Sequence, residues 1–270
     1  MSPPVAIVTD STAYLPSVPS GVTVVPLQVI VGGRPYDEHV SPAVGEWTPV
    51  TTSRPSPARF SEIYDSLSGI SGIVSIHLSG DLSGTAEAAR LAAETASVPV
   101  EVVDSRSIAM GLGFPVLAAA RAAASGAPMH EVASIARAVA ARTQTYFYVD
   151  TLEYLRKGGR IGAAASLVGS ALLIKPLLHL EGGRIVPLEK VRTATRALSR
   201  LEDLAVAAAG ATPVEVAVQH LSAQSRAEAL AERLTRRLPE LVRLSVVEVG
   251  AVIGVHVGPG ALGITVSPTG

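Results

Sequence analysis

Ile76-His77-Leu78-Ser79-Gly80-Asp81-Leu82-Ser83-Gly84-Thr85 decides how this chain is read. An apolar run from Gly72 to Leu78 stops at a cluster of hydroxyls and glycines, and an Ala-rich stretch follows at once. The pattern predicts a strand, a tight turn and a helix start. A helix N-terminus carries free backbone N–H groups and a partial positive charge, so such a turn is a natural seat for an anion. Glycine lets a ligand approach the backbone closely. The rival reading of the same residues is that Asp81 or Ser83 merely caps the helix.

Outward from this turn, the first half of the chain alternates strand and helix. Strands are predicted at Val5–Val8, Val22–Val31, Gly72–Leu78 and Val100–Val103, and Gly32-Gly33 turns the second of these back through Arg34–Asp37. Helices are predicted at Pro57–Leu67 with Ser56 as N-cap, Thr85–Ala96, Met110–Ala124 and His130–Arg142. This order implies a mostly parallel sheet covered by helices. The second half reads as an α+β layer. Its strands are expected at Tyr146–Val149, Arg184–Val191, Val214–His220, Val242–Val249, Ala251–Val257 and Ala261–Val266. Its helices are expected at Leu152–Arg156, Ala163–Ile174, Thr195–Ala209 and Ala223–Leu238. The expected fold is therefore α/β with two domains, 1–150 and 151–270. No linker separates them, and ligand sites favour such junctions.

Composition narrows the function. The chain has 270 residues, 48% of them hydrophobic, which allows a sizeable core. A net charge of −1 argues against nucleic-acid binding through a large basic surface. Cysteine is absent, which excludes disulfides, a thiolate nucleophile and Cys-based zinc sites. The start, MSPPVAIVTD, lacks the basic region and cleavage site of a secretory signal. The charge-free apolar stretches 107–120 and 161–174 fall short of the ~20 residues a membrane span needs. A cytoplasmic protein with at most transient membrane contact is expected. His39, His77, His130, His179 and His220 show no ligand spacing, so no metal site is expected.

Four further motifs each carry two readings. Thr9-Asp10-Ser11-Thr12 either faces the ligand crevice at the carboxyl end of a parallel strand or closes that strand with an Asx turn. Thr51-Thr52-Ser53-Arg54-Pro55-Ser56-Pro57 places hydroxyls before prolines that hold them outside the following helix. They are either preset donors for a carboxylate or phosphate, or an N-capping loop. Arg156-Lys157-Gly158-Gly159-Arg160, with Arg192 and Arg196, is either a docking surface for an acidic or phosphate-bearing partner or solvated charge. His256 sits in a predicted strand before Gly258-Pro259-Gly260, either buried and satisfied or donating to an anion. Ser83, His256 and Asp10 supply the residue types of a hydrolytic triad. Asp81, however, stands where a nucleophile elbow requires glycine. No Walker A or G-x-G-x-x-G spacing is present.

V-A-I-V-T-D-S-T, T-T-S-R-P-S, L-S-G-D-L-S-G-T, V-D-S, L-R-K-G-G-R-I, K-P-L-L, K-V-R-T and H-V-G-P-G-A-L-G-I, in this order from Val5 to Ile264, resemble the DegV family. That family often has Gln at the position of Arg54 and a second Ser at the position of Gly80. The resemblance implies a Rossmann-like first domain and a long-chain fatty acid, C14–C18, buried between two layers. It implies no catalytic residue and no cofactor. The chain would be the acyl-binding subunit of a fatty acid kinase system serving phospholipid synthesis, presenting the carboxylate to a separate ATP-dependent subunit that makes an acyl phosphate. By motif match Thr52, Ser83 and His256 contact the carboxylate, with Ser53 and Gly84 beside them and Ser11 and Thr51 as secondary candidates. Arg160 and Arg192 match residues that dock the kinase subunit. The rivals are a serine hydrolase acting on acyl esters and a lipid-responsive regulatory protein.

Physical chemistry is compatible with a lipid. A C16 chain brings about fifteen CH₂ and CH₃ groups, which at about 0.8 kcal/mol each give a gross of about 12 kcal/mol on burial, before association costs. The apolar stretch 161–174 is expected to line the tunnel. An unpaired carboxylate in an apolar cavity is costly. Hydroxyls, the backbone N–H groups at Ser83–Gly84 and an imidazole are expected to offset that cost without a full ion pair.

Overall fold

The computed structural model describes residues 4–40, 50–167 and 174–269. Its contacts divide the chain into two compact units, Met1–Ala141 and Arg142–Gly270. The sequence places the change near residue 150.

In the first unit, β1 (Val5–Asp10) is an unbroken buried run that leads into a 3-10 turn at Ser11–Ala13. β2 (Val22–Val25) and β3 (Gln28–Val31) follow as two strands where the sequence suggests one. The break falls at Pro26, which has no N–H to donate to a ladder. The next amide, Leu27, donates instead to Ser11 Oγ at 3.0 Å. β4 (Arg34–Asp37) completes a hairpin with β3. β5 (Val50–Ser53) makes a strand of Thr51-Thr52-Ser53, which the sequence reading leaves as a loop. Then come α1 (Pro57–Ser66), β6 (Gly72–His77), α2 (Thr85–Ala93), β7 (Val100–Asp104), α3 (Met110–Ala124) and α4 (Met129–Arg142). Ser56 caps α1 by accepting from Arg59 N–H at 3.2 Å.

The strands form a parallel sheet in the order β2-β1-β6-β7 and an antiparallel sheet in the order β4-β3-β5. Phe60 and Tyr64 of α1 and Ala88, Ala89 and Ala92 of α2 pack with Ala6, Val8 and Ile73 of the parallel sheet. Alanine on α2 lets that helix lie close to its neighbours, which fixes where its N-terminus falls. α3 packs along β1 and is buried without interruption from Met110 to Val116, as expected of a helix apolar on every side.

The second unit runs β8 (Gln144–Tyr148), α5 (Glu153–Lys157), a 3-10 stretch at Gly162–Leu167, β9 (Lys175–Glu181), β10 (Arg184–Val191), α6 (Ala194–Ala209), β11 (Val214–His220), α7 (Gln224–Arg237), β12 (Leu241–Glu248), α8 (Ala251–Val257) and β13 (Leu262–Pro268). These strands form one mixed sheet, β10-β9-β8-β13-β11-β12. Ala197, Leu201 and Ala205 of α6 and Ala227, Leu230 and Leu234 of α7 close its core over Val216, Val218 and Ile264. The helix predicted over Ala163–Ile174 is 3-10 up to Leu167. Its residues 168–173, six of the fourteen expected to line the tunnel, lie outside the described residues.

One strand prediction is overturned. Ala251–Val257 is not a strand but α8, and the sheet gives the reason. β12 runs parallel to β11, whereas β13 lies antiparallel to it on the opposite side. The connection must therefore pass over the carboxyl end of β11. Val249 N–H donates to His220 O at 2.8 Å, and Leu221 N–H donates to Ala261 O at 3.1 Å, so both ends of the crossing are fixed. A short helix satisfies its own backbone groups across that gap, and a strand there would find no ladder.

Candidate functional site

The turn after β6 is held by its own backbone and by the neighbouring β7 loop. Ser79 N–H donates to Ser107 O at 2.8 Å, and Gly80 N–H donates to Asp104 Oδ2 at 3.1 Å. Leu82 and Ser83 amides both donate to Ser79 O at 3.0 Å. The Ser83 amide is thus spent inside the turn, which removes one of the expected backbone donors. The N-cap of α2 is Gly84, with no side-chain bond to the helix, so neither Asp81 nor Ser83 is the cap. The amides of Gly84 and Thr85 take no partner among the described residues. Ser83 Oγ lies 2.9 Å from Thr85 Oγ1, which leaves two hydroxyls beside those amides.

β5 places two adjacent threonines on opposite faces. Thr52 pairs with Val29 and Thr51 with Ile30. Cross-strand partners share a face and successive residues alternate. Val29 is fully buried, so Thr52 lies on the inward face of this small sheet, while Thr51 is exposed. Ser53 Oγ meets Gln28 Oε1 at 3.3 Å. Beyond the strand, the Arg54 guanidinium lies over Gly84. A methyl group at residue 84 would stand 1.8 Å from Arg54 Nη1 and 2.9 Å from Cζ. Glycine is needed at 84 for this approach, and the structure brings Arg54, Ser83 and the α2 N-terminus into one cluster. Sequence reasoning assigned Arg54 no binding role. The available signal was a cation two residues after Thr52.

In the second unit His256 sits in the last turn of α8. A methyl at Gly158 would fall 2.1 Å from its Nδ1, so the imidazole rests on the backbone of the Gly158-Gly159 loop. Arg160 Nη1 donates to Gly158 O at 2.7 Å in the same loop. Burial first, and the Arg160 charge second, push the His256 imidazolium down to about 4, so the ring is neutral at pH 7. Gly258, at φ +75°, ends α8, and a side chain there would strike the Tyr154 ring at 2.3 Å. Arg192 is exposed at the junction of β10 and α6.

Two of the candidates at the start of the chain are engaged elsewhere. Asp10 Oδ1 accepts from Thr12 N–H at 3.1 Å and from Thr12 Oγ1 at 2.6 Å, an Asx turn. Its Oδ2 meets His77 Nδ1 and accepts from Leu78 N–H, each at 3.0 Å. All four interactions lie within the first unit, and the carboxylate is fully buried. The Ser11 hydroxyl accepts the Leu27 amide. Among the described residues no group of His, Asp and Glu is placed to hold a metal ion, and no helix is long and apolar enough to cross a membrane.

A parallel-sheet unit covered by helices, followed by a unit built on one mixed six-stranded sheet, defines a two-unit α/β class of protein. The DegV family model, that of an uncharacterised protein family, matches residues 4–269. The chain belongs to the DegV family. A DegV domain-containing protein of Streptomyces coelicolor is 56% identical over 279 residues, covering 99% of each chain. A DegV family protein of Thermus thermophilus, solved for its fatty acid binding, superposes with a TM-score of 0.90 at 31% identity over 98% of this chain and 99% of that one. DegV of Bacillus subtilis, a fatty acid binding protein, superposes at 0.88 and 31% identity with the same coverage.

Proposed function

We propose that this chain binds one long-chain fatty acid, C14–C18, in the cytoplasm and presents its carboxylate to a separate ATP-dependent kinase subunit, itself performing no catalysis. The observation that carries the reading is the α2 N-terminus. It is capped by a glycine, leaves amides at Gly84 and Thr85 and hydroxyls at Ser83 and Thr85, and occurs in a chain similar end to end to fatty-acid-binding relatives. Thr52, Ser53, Ser83, Gly84 and His256 are the proposed carboxylate ligands. Hydroxyl and amide donors suit a carboxylate because a helix N-terminus favours negative charge. His256, neutral at pH 7, can donate one N–H without adding a charge. Arg160 and Arg192 are the proposed contacts to the kinase subunit.

The test is organic extraction of the purified, denatured protein followed by mass spectrometry. A C14–C18 acid in near-stoichiometric amount is expected. Protein that carries none and takes up no palmitate on incubation would refute the reading.

A further inference from the structure

We propose that Arg54 is a charged clamp for the ligand's head group, which makes the site selective for an ionised carboxylate over a neutral head of the same chain length. This rests on the fatty-acid reading above and deepens it.

Three observations carry it. The guanidinium lies directly over Gly84, the cap residue of α2, close enough that any side chain at 84 would collide with Nη1. Arg54 forms no ion pair or hydrogen bond with another described residue, although carboxylates pair with arginines at many other points of the chain. Thr52, two residues earlier, stands on the inward face of β5. A guanidinium is a planar fork that matches a carboxylate in two parallel N–H bonds. Placed against Gly84, the N-cap residue of α2, it adds a full positive charge to the partial charge of the helix. The head group is then held by a cation as well as by neutral donors, which departs from the expectation drawn from sequence.

Arg54 is exposed, so its substitution leaves the core intact. The experiment measures dissociation constants of palmitate and of hexadecanol, the neutral-headed probe, at two salt concentrations, for the protein stripped of lipid and for Arg54→Gln and Arg54→Lys. The expected result for Arg54→Gln is a palmitate affinity about tenfold lower or weaker still, with hexadecanol changed less than about twofold, and a flatter salt dependence for palmitate. Arg54→Lys should fall between the two because it keeps the charge and loses the fork. Equal loss for both probes, or no loss for either, would overturn the clamp while leaving fatty-acid binding standing. Failure of the unaltered protein to bind either probe would overturn the functional reading itself, and the clamp with it.

Discussion

Asp10 Oδ2 lies 3.0 Å from His77 Nδ1, and both side chains are sealed from solvent. The chain of bonds continues inward. His77 Nε2 meets Ser75 Oγ at 2.7 Å, and the Tyr64 hydroxyl donates to Ser75 Oγ at 2.9 Å. One neutral tautomer satisfies every member: Tyr64 O–H to Ser75, Ser75 O–H to Nε2, and Nδ1–H to the carboxylate. Burial pushes the Tyr64 phenol up to about 12, so it remains a donor. The arrangement has the connectivity of a Ser-His-Asp triad, yet its serine is fully buried. It ties β1 to β6 and α1. Asp10→Ala should lower unfolding free energy by about 3 kcal/mol or more, because it strands a buried imidazole and two amides. Tyr64→Phe should cost about 1 kcal/mol. Urea denaturation checks both, and retention of bound lipid by Tyr64→Phe would show that the network is structural.

His256 gives the second unit a pH dependence. Its imidazolium is favoured in the unfolded chain, near the ordinary 6.5, and disfavoured in the fold, near 4. Between these values the unfolded state binds the extra proton, so stability rises with pH through that window and levels off above it. The protein should be about 2 kcal/mol less stable at pH 5 than at pH 7 from this group, a difference that His256→Gln should largely remove in paired denaturation curves. Arg160→Ala should raise the His256 value only partway, since burial is the larger cause. Titration of the imidazole by NMR reads that shift directly.

Ser83 and Ser56 separate a proposed ligand hydroxyl from a capping one. Ser56 Oγ accepts the Arg59 amide at the start of α1, so Ser56→Ala should cost about 1 kcal/mol of stability. Ser83 caps nothing, because α2 begins at Gly84 without a side-chain bond. Ser83→Ala removes only the Thr85 hydroxyl's partner, so it should cost about 1 kcal/mol of stability while weakening palmitate binding about tenfold. A large loss of stability with unchanged binding would reverse the assignment.

The parallel sheet was legible because its strands are apolar runs that stop at turn residues, as at Leu78 and Asp10, and because Ala-rich helices follow β6 and β7. The start of α2 just after Gly84 was legible for the same reason. Three features were not. Val22–Val31 reads as one strand by composition, and only the missing N–H of Pro26 divides it between two sheets. Ala251–Val257 is as β-branched as its neighbours, so local propensity favours a strand. The crossing over β11 overrides it, a constraint set by residues far away in sequence. Asp10 and His77 stand 67 positions apart, and no spacing rule joins them. The cost of an unpaired buried carboxylate does so once β1 and β6 are neighbours.

Arg192 and Arg160 differ in what they touch, and the docking assignment turns on that difference. Arg192 is exposed just beyond β10. Arg160 is half-buried, bonded to Gly158 O, and its charge bears on His256. Arg192→Ala should therefore leave palmitate affinity and stability unchanged while lowering acyl phosphate formation in the presence of ATP and the kinase subunit. An exposed charge contributes little to folding but much to encounter with an oppositely charged partner. The loss should shrink as salt rises, since screening already weakens the parent's attraction. Arg160→Ala should lower both acyl phosphate formation and, through the changed His256, the pH range over which lipid is held. Equal loss of lipid binding in Arg192→Ala would move that residue from the docking surface to the lipid site.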